Sequence, residues 1–132
     1  MTALLALTFA TAVVAGDLTV HEAPSGETRT EVYTALVRED RHHEWDCIDA
    51  LFKAESGWNP DALGDVELGG SHGLPQRHAP VWGAPPSPWP VTGEGGQVDW
   101  TLSYIEDRYQ DDACVAWETW LSRSTDGVGG WW

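Results

Sequence analysis

Cysteine is nearly missing from this chain of 132 residues, which has only Cys47 and Cys114. Two are too few to staple a miniprotein, and without a CxxC pair they do not make a zinc site. Positive charge is also scarce: seven Lys and Arg stand against 21 Asp and Glu, for a formal charge of −14. Phosphate backbones are bound by basic faces that release counterions, so nucleic acid is excluded as a partner. Adhesion to an anionic membrane surface is excluded on the same grounds. Long apolar runs are missing too. The best of them, Ala3 to Gly16, falls short of the roughly 20 residues that cross a bilayer. The length allows one core and no second one.

What the chain does have is tryptophan, nine in all, within a hydrophobic fraction of 42% that favours a packed core over disorder. Such rings serve either as core fillers or as flat platforms for a ligand. The acidity gives a solvated, self-repelling surface, consistent with a monomer, and names no substrate. His42, His43, Glu44 and Asp46 are crowded together, but the order is not H-E-x-x-H. Neighbouring helical residues point about 100° apart, so no metal and no cofactor is expected.

The apolar run at residues 1–16 suits the h-region of a signal peptide, with cleavage near Ala15 or Gly16, although no Lys or Arg precedes it. The protein is accordingly expected outside the cell, secreted or associated with the wall. There, Cys47 and Cys114 would pair and close a loop of 67 residues, worth about 4 kcal/mol by chain entropy. In a reducing compartment they would be two separate buried thiols.

Residues 17–40 read as a polar linker followed by a short helix from Glu31 to Arg38, and the folded domain as 41–132. The clearest helix is Arg41 to Ser56, where Trp45, Ile48, Leu51, Phe52 and Glu55 share one face. Gly57 and Pro60 stop it. From Asp61 to Gly96 the chain is rich in Gly and Pro, which predicts loops over a surface cleft and no strand. Helices are predicted again from Gln97 to Tyr109, through Val98, Leu102 and Ile105, and from Ala113 to Leu121, through Val115, Trp117 and Trp120. A Gly-rich tail ends on Trp131 and Trp132. The fold class is mainly α, around one loop-rich cleft.

Glu55 is the anomaly. It lies on the apolar face, where an ionised carboxylate is costly, and in the last helical turn, where the dipole disfavours negative charge. Both effects raise its pKa, as a general acid at neutral pH requires. The plainer alternative is a carboxylate at a helix end that reaches solvent.

The residues around Glu55 go further. Glu55-Ser56-Gly57-Trp58-Asn59-Pro60 is followed by Gly70-Ser71-His72-Gly73-Leu74-Pro75-Gln76. Later come Gln97-Val98-Asp99-Trp100, Tyr104-Ile105, Arg108-Tyr109, Cys114, Ala116-Trp117 and the terminal Trp131-Trp132. In this order the elements resemble the lytic transglycosylase and goose-type lysozyme-like superfamily. They are most similar to the transglycosylase-like domains of actinobacteria and their phages, which are related to the C-terminal domain of aggregation-promoting factors. The resemblance runs from about Trp45 to Trp132. Departures from the family wording include Ser71 and His72, where Ala and Tyr are common, Thr101 in place of Gly, and the proline-rich stretch 79–90.

The resemblance implies a small lysozyme-like domain whose partner is the glycan strand of peptidoglycan. Glu55 would protonate the oxygen between N-acetylmuramic acid and N-acetylglucosamine, then act as base while the muramyl 6-hydroxyl closes to an anhydro sugar. One carboxyl then suffices. Plain hydrolysis is the variant, with Asp61, Asp65 or Glu67 holding a water. Ser56 would orient Glu55 or else close the helix end. Gln76 would meet substrate or fix the backbone of the cleft. Tyr104 and Tyr109 would line the groove or pack the core. His72 falls in the substrate-binding segment, and Trp58, Trp82 and Trp89 lie in loops suited to sugar stacking. A silent peptidoglycan-binding module is the alternative to catalysis, and an acidic surface protein with no wall ligand is the remaining one.

Overall fold

The computed structural model describes residues 26–124. The expected signal peptide, most of the linker and Trp131–Trp132 therefore lie outside the described residues. The first helix, α1, spans Glu27–Arg38 and so begins four residues before the expected Glu31. Glu27 in its first turn and Arg38 in its last complement the helix dipole, and Val32 and Leu36, four apart, bury the inner face.

The helix expected from Arg41 is divided. His42–Glu44 forms a 3-10 turn, and α2 proper runs Trp45–Ser56. The break has a tertiary cause. The Glu44 carboxylate is pulled into an ion pair with Arg41 and also accepts the backbone N–H of Ala113, far along the chain. From there α2 buries Trp45, Ile48, Leu51 and Phe52, the stripe read from sequence. Gly57 ends it in the left-handed region (φ 61°), where a side chain would be strained, and returns its N–H to Lys53.

No strand was expected between 61 and 96, yet three short ones form: β1 (Leu63–Gly64), β2 (Ser71–His72) and β3 (Arg77–His78). They pair antiparallel in the order β1-β2-β3. Two-residue strands carry no readable alternation, which is why the sequence hides them. A 3-10 turn at Val66–Leu68 and a short helix α3 (Ala79–Trp82) complete the segment.

Helices α4 (Gln97–Arg108) and α5 (Ala113–Arg123) follow, within two residues of the expected limits. Asp112 caps α5 by accepting from the N–H groups of Cys114 and Val115. Small residues Ala113 and Ala116 face inward and let α5 lie close against α2. Cys47 and Cys114 are joined across that contact, with their Cα atoms 5.1 Å apart. The core gathers Val32, Leu36, Trp45, Leu51, Phe52, Leu74 and Ile105, so the molecule is a small, mainly α domain with one minor sheet. No described helix is long and apolar enough to cross a membrane.

Candidate active site

Glu55 occupies the last turn of α2, on the side facing α5 and the loop after β1. Its side chain is mostly sheltered, and Oε2 is buried without a hydrogen-bond partner. Burial lifts the pKa from the usual 4.5 to about 7, and the negative charge of Asp65 adds to the rise. The Trp120 indole on α5 opposes it. That indole N–H is itself buried without a well-formed hydrogen bond, so its pull reduces the shift and does not cancel it. Tyr109 also senses Glu55: burial raises the phenol, the Glu55 charge raises it further, and nearby Arg108 and Arg123 lower it. Glu55, Asp65, Tyr109 and Trp120 thus form one electrostatic neighbourhood, drawn from four separate elements.

The other expected site residues divide. Ser56 gives its hydroxyl to the Phe52 carbonyl at 2.9 Å, so it closes the helix end and does not hold Glu55. Trp58, expected as a sugar platform, is structural. Its indole N–H donates to Asp49 (2.8 Å), its ring packs on Trp45 and Phe52, and the Arg29 guanidinium sits 5.5 Å from its centroid. Gln76 fixes backbone, donating to the carbonyls of Gly73 (3.1 Å) and Ala62 (3.4 Å). Tyr104 and Tyr109 belong to the core, at 8% and 7% exposure. Burial pushes the Tyr104 phenol up to about 12. His72 and Trp89 face a groove of about 240 Å³ between the loop at 60–63 and the proline-rich stretch. A wider hollow of about 570 Å³ lies along α1, and Glu55 lines neither of them.

Beside the groove runs an array of rings. Trp89 meets Trp100 edge-on at 6.2 Å, Trp100 stacks on Tyr104 at 4.9 Å, and the partly exposed Trp82 sits edge-on to Tyr104 at 5.3 Å. Arg77 and Arg108 hold cationic heads over these rings. The array runs from Trp89 at the groove through Trp100 and Tyr104 to Tyr109.

Gln97 is the residue whose role was least visible. It is fully buried, and its Oε1 accepts from the Leu74 N–H at 2.7 Å. Its Nε2 donates to the carbonyls of Pro60 and Trp89, both at 3.0 Å. One side chain thereby ties together the three loops that frame the groove. Gly73 completes the fit, because a Cβ there would fall 2.6 Å from Gln97 Oε1. Gln97→Leu strands one donor and two acceptors in the interior. Thermal melts are expected to show a loss of about 3 kcal/mol. A loss below about 1 kcal/mol would mean that water replaces the tie. Compared with known protein families, curated proteins and solved structures, the chain matches none of them.

Proposed function

We propose that this chain is an exported enzyme that cuts the glycan strand of bacterial cell wall, with Glu55 as the proton donor. The carrying observation is the Glu55 carboxyl itself. It is sheltered at a helix end, one oxygen lacks a partner, and its pKa lies near neutrality. A group so placed is half protonated at pH 7 and can hand its proton to a leaving oxygen. The resemblance of the Glu55–Pro60 and Gly70–Gln76 segments to the lysozyme-like superfamily supplies the substrate class. The aromatic residues at the edge of the array, partly exposed Trp82 and groove-lining Trp89, support it, since indole rings at a surface suit sugar rings.

The 240 Å³ groove favours a second reading, because it holds His72 and Trp89 and stands apart from Glu55. On that reading the domain grips peptidoglycan without cutting it. Incubation with purified sacculi separates the two. Soluble muropeptides in the supernatant support the enzyme, whereas co-sedimentation without release supports the binding module. Neither release nor co-sedimentation removes both and leaves an acidic protein with no wall ligand.

A further inference from the structure

The groove of about 240 Å³ has two walls, and only one of them follows the family wording. Pro60, Asp61, Leu63 and His72, from the turn after α2 and the first two strands, form the first wall. The second is Pro85 to Trp89, inside the proline-rich segment where the resemblance lapses. Both walls are set before a ligand arrives. Gln97 ties them by donating to the carbonyls of Pro60 and Trp89. The Trp89 indole N–H is taken by the Gly95 carbonyl at 2.9 Å, which fixes the ring. Asn59 Oδ1 accepts the Asp61 N–H at 2.9 Å, which fixes the backbone that carries the Asp61 carboxylate. Proline walls and a pinned indole lose little freedom on binding, so a small ligand can be held by few contacts.

The charge of the groove decides what enters it. Asp61 is the only acidic or basic residue among those that line it, histidine aside, and it is exposed. Among the described residues its carboxylate has no ion pair. Arg77 does not compensate it: that guanidinium lies over the Trp89 and Trp100 rings and donates to the carbonyls of Trp82 and Gly83. A ligand carboxylate or phosphate would therefore meet a like charge with no lining cation to offset it. A neutral sugar stacks on Trp89 but leaves Asp61 without a partner. What fits is a short alkyl chain that ends in an ammonium, with methylenes against proline and indole and the head on the carboxylate. His72 and Ser87, also in the lining, offer hydrogen bonds to amides beside that chain.

We propose that this groove is a subsite for the stem peptide of the wall polymer, with the alkyl side chain of its diamino acid along Pro85 to Trp89 and the side-chain ammonium on Asp61. The proposal rests on the wall-directed reading above. Glu55 does not line the groove, so peptide recognition and cutting are separate properties of the domain. Cross-linking turns that amine into an amide and removes its charge. The groove accordingly selects stems whose amine has not been acylated.

Titration of the full chain with Nα-acetyl-L-lysyl-D-alanine amide, followed by NMR of the His72 imidazole and the Trp89 indole, tests the subsite. Saturable shifts at both groups are expected, with a Kd on the order of 1 mM. The same peptide acetylated on its side-chain amine should bind about fivefold more weakly, and so should the free-amine peptide to Asp61→Asn. The acetylated peptide repeats the charge test on the wild type, independently of any variant's folding. Equal affinity for the two peptides, or equal affinity of wild type and Asp61→Asn, overturns the subsite. Shifts at His72 and Trp89 with an N-acetylglucosamine trimer and none with the peptide overturn it as well, and make the groove a glycan site. In each of those cases sacculi that are still cut or bound leave the proposed function standing. No interaction with sacculi at all removes that function and the subsite with it.

Discussion

Glu55→Gln is expected to slow release of muropeptides about a thousandfold and, at the same time, to make the protein more stable above pH 7. The first effect follows from losing a positioned acid, a role worth roughly 10²–10⁴ in rate. The second follows from linkage. The fold holds the Glu55 carboxyl at about 7 against the usual 4.5, because burial disfavours its charge. Between those two values the folded protein binds a proton that the unfolded chain releases. The contribution is therefore fully favourable below pH 4.5 and is lost as pH rises through 7, an effect of up to about 3 kcal/mol. Glutamine has no proton to lose. The variant should match the wild type at pH 4 and melt on the order of 10–20 °C higher at pH 8. Wild-type cleavage should also fall about tenfold per pH unit above 7, as the acid form is titrated away. Scanning calorimetry at the two pH values and release rates along a pH series check both halves. A variant that cuts as fast as the wild type ends the assignment of Glu55.

Cleaving the link between Cys47 and Cys114 is expected to have the largest effect on stability. The closed loop spans 67 residues. Constraining the unfolded chain to that extent is worth about 4 kcal/mol. For a domain of this size that corresponds to a fall in Tm on the order of 15–30 °C. The Cys47→Ala/Cys114→Ala double variant, melted beside the wild type with and without reductant, measures it. The loss should extend to activity. The bridge fixes the start of α5 against α2, next to the Ala113 N–H that Glu44 holds, and Trp120 lies two turns further along the same helix. Releasing α5 withdraws the cover over Glu55 and admits water, which lowers its pKa toward the usual carboxylate range. A drop in Tm below about 5 °C would show that α5 is held by packing alone.

The helical parts of this fold were readable because their causes are local. The spacing of Trp45, Ile48, Leu51 and Phe52 sets the buried face of α2 and puts Glu55 on the sheltered side. What escaped depends on distant partners. Nothing near Glu44 announces that its carboxylate will meet an N–H at position 113, so the 3-10 turn before α2 could not be foreseen. Trp58 resembled a platform because it lies in a loop, yet Asp49 takes its N–H and Arg29, in a stretch read as linker, covers its ring. Leu63 and His72 come together only through the register of strands too short to leave a pattern. Gln97 stood in a recognisable motif, but its three hydrogen bonds reach 8, 23 and 37 residues away.

Arg77 and Gln97 fasten the proline-rich segment at its two ends. Arg77 donates to the carbonyls of Trp82 and Gly83, and Gln97 to that of Trp89. The largely exposed residues 84–88 hang between those pegs like a replaceable rail along the groove. If the domain takes wall glycan as proposed, swapping them would retune which wall chemistries it accepts, while the helices that set the proton affinity of Glu55 stay as they are.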